Sequence, residues 1–80
     1  MSNAISIRLE TVFKSTLGIE NVPAGLSQKN CAEWDSVNHL NLILALEAEF
    51  GIAFEPEEIA AMQDLETVKN LLAEHGVGEK

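Results

Sequence analysis

The run from Trp34 to Gly51, WDSVNHLNLILALEAEFG, constrains this chain more than any other. Asp35 and Ser36 both favour helix starts, because their side-chain oxygens accept hydrogen bonds from first-turn amides that lack a partner within the helix. Val37, Leu40, Ile43, Leu44, Leu46 and Phe50 then recur largely by threes and fours, and Leu42 widens the apolar face. Gly51 follows as a residue able to take a positive φ just past the end. The pattern predicts a helix of about four turns, apolar over more than one stripe. A helix with so wide an apolar face is expected to be central and covered by its neighbours.

Ile5, Leu9, Val12, Phe13 and Leu17 recur at helical spacing and predict a first helix from Asn3 or Ala4 to Leu17, closed by Gly18. Arg8 and Lys14 fall off that stripe and are expected in solvent. From Gly18 to Trp34 no period is sustained, and Pro23, Gly25 and Asn30 punctuate the stretch. It exceeds the roughly 12–15 residues usual for a structureless loop, and such loops are commonly functional or pinned by their own side chains. Ile19, Val22 and Leu26 are the expected pins, with a single turn at Ser27–Asn30. Beyond the central helix, Pro56 suits a first helical position and Glu57 and Glu58 suit a first turn. Ile59, Ala60 and Met62 leave this third helix too short to stand alone, so it must borrow packing and is the element expected to move. Asp64 starts the last helix, with Leu65, Val68, Leu71 and Leu72 inward, Gly76 at its end and a frayed tail from Val77 to Lys80. The expected fold is all-α. It is a four-helix bundle with a short third helix and a long loop between the first two, one domain over residues 1–80 whose ordered core runs from about 4 to 76.

Composition narrows the function. Eighty residues make one small core and leave no room for an enclosed catalytic cleft of ordinary size. Thirteen acidic against five basic residues give a formal charge of −8, which repels a nucleic-acid backbone and suits basic patches on partner proteins. The single Cys31 cannot form an internal disulfide, and no cluster points to a metal site. MSNAISIRLE is too short and too charged for a secretory signal, and no apolar run approaches the roughly 18 residues of a membrane span. The expected setting is the cytoplasm, without membrane or nucleic-acid partners, and the expected state is a monomer.

A serine at a helix N-terminus can carry a phosphate diester, since free amides and the macrodipole favour negative charge there. Asp35-Ser36-Val37, the following LNLILALEAEFGI and the later Pro56-Glu57-Glu58-Ile59 together resemble the acyl carrier protein family, over about Ile5 to Gly76. The resemblance implies a non-enzymatic carrier with 4′-phosphopantetheine covalently attached to Ser36, Asp35 assisting the transfer. It implies a phosphopantetheinyl transferase and acyl-transferring or condensing enzymes as partners, and an acyl group held as a thioester in a fatty-acid, polyketide or specialised pathway. Val37, His39, Glu47, Glu49, Glu57 and Glu58 would meet those partners, with His39 solvated near the arm. Val37, Leu42, Leu44, Ile59 and Met62 would shelter the cargo, although all five also suit an ordinary core. Val37 in place of the family's usual leucine, and Trp34, Asn38, His39 and Asn41 around it, point to a specialised pathway. A peptidyl or aminoacyl carrier shares the same residues. An acidic helical interaction module without an arm would leave Asp35 or Ser36 as a mere helix cap. A hydrolase built on Asp35, Ser36 and His39 lacks the geometry, because a histidine must lie between nucleophile and acid.

Overall fold

Helices stop and start in this chain where the local sequence supplies partners for their unpaired backbone groups. The computed structural model describes residues 4–77 and contains α1 (Ala4–Leu17), α2 (Ser36–Phe50), α3 (Pro56–Ala61) and α4 (Leu65–Glu74). Asn3 as an alternative start of α1, the side chain of Ile5 and residues 78–80 of the tail lie outside the described residues. Among the described residues there is no strand, only an isolated antiparallel bridge between Ser27 and Asp64. No described helix is long and apolar enough to cross a membrane.

The central helix has the expected bounds. Asp35, in extended conformation, caps it by accepting the Asn38 amide, and Gly51 ends it at φ 66°. The Gly51 and Ile52 amides both return to the Glu47 carbonyl, at 2.9 and 3.2 Å. A side chain with a Cβ would resist that left-handed position.

The apolar face of α2 is a different matter, because it is two faces. At about 100° per residue, Leu42, Ile43 and Leu46 fall together and are buried in the core. Val37, Leu40 and Leu44 fall on the opposite side and are 69, 59 and 64% exposed. The helix is therefore covered along one stripe and bare along the other. α1 packs against it through Leu9, Val12, Phe13 and Leu17, and Leu65, Val68 and Leu72 of α4 join the same core.

The long connection from α1 to α2 is pinned by more than its apolar residues. Leu26 is buried, and Ile19 and Val22 pack on the core. Asn30 accepts the Ser27 amide and donates to the Gly25 carbonyl, each at 2.9 Å, and the Asn30 amide reaches the Ser27 carbonyl. Gln28 N donates to Gln63 O and Leu65 N to Leu26 O, so the loop is laced to the α3–α4 connection. Arg8 is exposed, as expected, and also donates to the Glu49 carboxylate at 2.7 Å and to its carbonyl, with its guanidinium over the Phe50 ring. It ties α1 to the last turn of α2.

Six residues make α3, none of them buried. Pro56 opens it, and Glu55 and Glu58 form a reciprocal capping box. Phe54 before it and Met62 after it are buried and hold the two ends down. The Glu58 carboxylate accepts the Glu55 amide and the His75 ring Nε2 at 2.8 and 3.0 Å. The Glu55 amide first, and His75 second, hold Glu58 below the usual carboxylate range. Thr67 does the same for Asp64, the cap of α4. A carboxylate with a lowered folded pKa contributes stability above its unfolded value and loses it as pH falls through the folded value. The thermal midpoint should therefore drop as acid reaches and passes the carboxylate range. Glu58→Gln should flatten that drop, measured by melting at stepped pH; equal slopes would show that Glu58 does not contribute.

Candidate functional site at the start of the second helix

Ser36 is the first residue of α2 and is exposed. Its hydroxyl makes no hydrogen bond to another described residue, because Asp35 does the capping: Asp35 Oδ1 accepts the Asn38 amide at 2.9 Å. The amides of Ser36 and Val37 likewise have no partner among the described residues. A reactive-type oxygen thus sits free at the positive end of a 15-residue helix, beside two unpaired donors. Such a place accommodates a phosphate ester.

Beneath Ser36 the backbone is fixed by Trp34. The indole is 1% exposed and meets Phe13 edge to face, ring centres 5.4 Å apart. Its Nε1–H donates to His39 Nδ1 at 3.0 Å. Asn38 donates back to the Glu33 carbonyl at 2.8 Å. Two contacts from the first turn thus clamp the residues on either side of Asp35 and Ser36 in sequence.

Indole nitrogen only donates, so Nδ1 of His39 must present its lone pair and the ring proton must sit on Nε2. That nitrogen lies 2.9 Å from the Ile59 carbonyl, to which it donates. His39 is accordingly half-buried and used on both sides, rather than solvated beside Ser36 as the sequence led us to expect. The same contacts disperse the hydrolase arrangement. Asp35 is on Asn38 and His39 is on Trp34 and Ile59, so no relay reaches Ser36.

The expected partner-binding acids are mostly occupied inside the molecule. Glu47 accepts the Phe54 amide at 2.8 Å, Glu49 pairs with Arg8, and Glu58 holds Glu55 and His75. Glu57 is exposed and, among the described residues, has no hydrogen-bond or ion-pair partner. Reversing charge at Glu47 or Glu49 would therefore cut internal bonds as well as alter the surface. Val37 is open to solvent.

The five residues assigned to a cargo pocket do not share a wall. Leu42 and Met62 are fully buried, Ile59 is half-buried, and Val37 and Leu44 face solvent. One helix cannot turn Leu42 and Leu44 toward the same space, since two residues apart they point to different sides. Cys31 is buried; burial first, with Glu33 adding to it, pushes its thiol above the ordinary range, which disfavours the nucleophilic thiolate.

Sequence reading missed Trp34 as the anchor of the site and Leu40 as part of its exposed surface. The signal for Leu40 was present, because Val37, Leu40 and Leu44 have a helical period of their own. Among the described residues no three His, Cys, Asp or Glu side chains gather where a metal ion could be held. Compared with known proteins, the chain matches no family model and no curated sequence.

Proposed function

We propose that this chain is an acyl carrier: Ser36 bears 4′-phosphopantetheine, and the protein delivers a bound acyl group to partner enzymes without catalysing a reaction itself. The observation that carries this reading is the free, exposed hydroxyl of Ser36 at the start of α2, relieved of capping by Asp35. The resemblance of Asp35-Ser36-Val37 and its downstream residues to the carrier family supports it. Attachment would join Ser36 Oγ to the phosphorus that bears the pantetheine in coenzyme A. The pyrophosphate bond breaks, the adenosine bisphosphate leaves, and the serine proton passes to a base of the transferase. When bound, the group supplies a thiol on a flexible arm, which holds an acyl chain as a thioester and presents it to successive enzymes at high local concentration. In this reading the four helices form a bundle of the acyl-carrier type, working as a cytoplasmic monomer in fatty-acid, polyketide or specialised acyl metabolism.

Partner enzymes would meet the bare stripe of α2. Val37, Leu40 and Leu44 begin one residue after Ser36 and make an apolar surface of the kind that marks a contact site. Leu40→Glu with Leu44→Glu should leave stability within about 0.5 kcal/mol, as exposed substitutions by helix formers do. The pair should slow loading by a transferase about tenfold or more, as losing apolar anchors does, in a time course of mass gain. Unchanged loading would move the docking surface elsewhere.

The deciding experiment is intact mass after incubation with coenzyme A, magnesium and a broad-specificity phosphopantetheinyl transferase. A gain of one phosphopantetheine, mapped to the peptide containing Ser36, is the expected result. No gain with several transferases on folded protein would overturn the reading. The bare stripe on α2 would then favour the second one, an interaction module without an arm.

A further inference from the structure

The shortest described helix is held at its flanks by buried Phe54 and Met62 and between them by two histidines. α3 buries none of its six residues, and a helix this short has little stability of its own. The chain has two histidines, and both reach α3 at adjacent positions, one from α2 and one from just past the end of α4. His39 of α2 donates through Nε2 to the Ile59 carbonyl at 2.9 Å. His75, just past α4, lies 3.0 Å from the Glu58 carboxylate and stacks its ring edge to face with Phe54.

These two contacts respond to a proton in opposite ways. The His39 contact needs a bare Nδ1, because Trp34 Nε1–H points at it from 3.0 Å. A second ring proton sets two N–H donors against each other, and such a pair cannot bond. Trp34 is locked in the core against Phe13, so the imidazole is the partner that must leave, withdrawing Nε2 from Ile59. His75 meets no such conflict: protonated, it still donates to Glu58 and adds charge attraction.

The charged groups on the segments around His39 are Glu33 and Asp35 on the approach to α2, Glu47 and Glu49 on α2, and Glu55, Glu57 and Glu58 at α3. All are carboxylates. None is hydrogen-bonded to the His39 ring among the described residues, so a proton on Nδ1 would find the indole N–H as its neighbour. Around His75 the groups are Glu58 across from it and Glu74 beside it in sequence.

We propose that His39 is a proton-released latch: neutral, it binds α3 to α2 through Trp34 and Ile59; protonated, it lets that side of α3 go while His75 keeps the other side tethered to Glu58. The latch belongs to the unmodified chain and does not depend on an arm at Ser36.

Glutamine separates the latch from mere packing. Its amide oxygen can accept from Trp34 and its amide nitrogen can donate to Ile59, yet it does not titrate. Amide exchange at Ile59 and Met62, whose bonds to the Glu55 and Ile59 carbonyls lie at the start and the end of α3, is followed by NMR and corrected for intrinsic rates. Amides of Leu42 and Leu46 in α2 serve as an internal reference for global opening. In the wild-type chain, going from about pH 8 to about pH 5.5, the range in which an imidazole titrates, should speed α3 exchange about tenfold relative to α2. His39→Gln should keep α3 protected at both pH values, and His75→Gln should retain the wild-type acceleration. Wild-type α3 protection that does not change with pH would overturn the latch. So would a His39→Gln variant that accelerates as much as the wild type.

Discussion

Trp34→Ala should cost about 3–5 kcal/mol, the range for removing a large buried aromatic side chain. A whole domain has roughly 5–15 kcal/mol of stability, and one of this size lies toward the low end. Only about 0–2 kcal/mol would then remain, so the folded state should be marginal. The indole is nearly inaccessible and fills the space between the α1–α2 loop, Phe13 of α1 and His39 of α2. Its loss removes the edge-to-face contact, itself worth about 0.5–1.5 kcal/mol, and leaves His39 Nδ1 without its donor. Trp34→Phe keeps most of the volume and loses the N–H, so it should cost less, about 1–3 kcal/mol for the orphaned ring nitrogen and imperfect fit. Urea unfolding followed by far-ultraviolet circular dichroism measures both, since tryptophan fluorescence vanishes with the mutation. A Trp34→Ala loss below about 1 kcal/mol would mean that the loop is held by its backbone bonds to the α3–α4 connection, and that Trp34 only lies against it.

What the sequence makes legible here is local chemistry, and what it hides is tertiary. The bounds of α2 could be read because Asp35 and Gly51 act on backbone groups within a few residues. Pro56 and the two acids after it marked α3 for the same reason. The period of apolar residues in α2 was equally visible, but period does not say which side meets a neighbour. Leu42, Ile43 and Leu46 have one and Val37, Leu40 and Leu44 do not, so a helix that read as wholly covered is covered along one side. His39 shows the limit most clearly. Its partners are Trp34, five residues back, and the carbonyl of Ile59, twenty residues on. Only the packing of α3 beside α2 brings the second within reach. Glu47 and Glu49 looked like a free acidic face for the same reason: Phe54 and Arg8, which occupy them, arrive by folding. The site itself was half legible. Asp and Ser are both good caps, so the sequence left open which of the pair capped the helix and which was spare.

That division of labour can be tested by separating the two residues. Ser36→Ala should abolish attachment of phosphopantetheine entirely, because no other atom replaces Oγ as the nucleophile. It should change stability by no more than about 0.5 kcal/mol, as the hydroxyl is exposed and bonded to no described residue and alanine suits a helix. Asp35→Ala should do the reverse to stability: losing the cap on the Asn38 amide costs about 1 kcal/mol, while the serine remains to be loaded. Asp35→Asn keeps an oxygen that can cap, so it should hold stability within a few tenths of a kcal/mol and slow loading if the carboxylate charge assists the transfer. Thermal melts and intact mass on the same three variants read both properties at once. An alanine at position 36 that still gains the arm would remove Ser36 from the chemistry. A Ser36→Ala variant as unstable as Asp35→Ala would make Ser36 part of the cap. The hydroxyl could then not be the spare group on which the carrier reading rests.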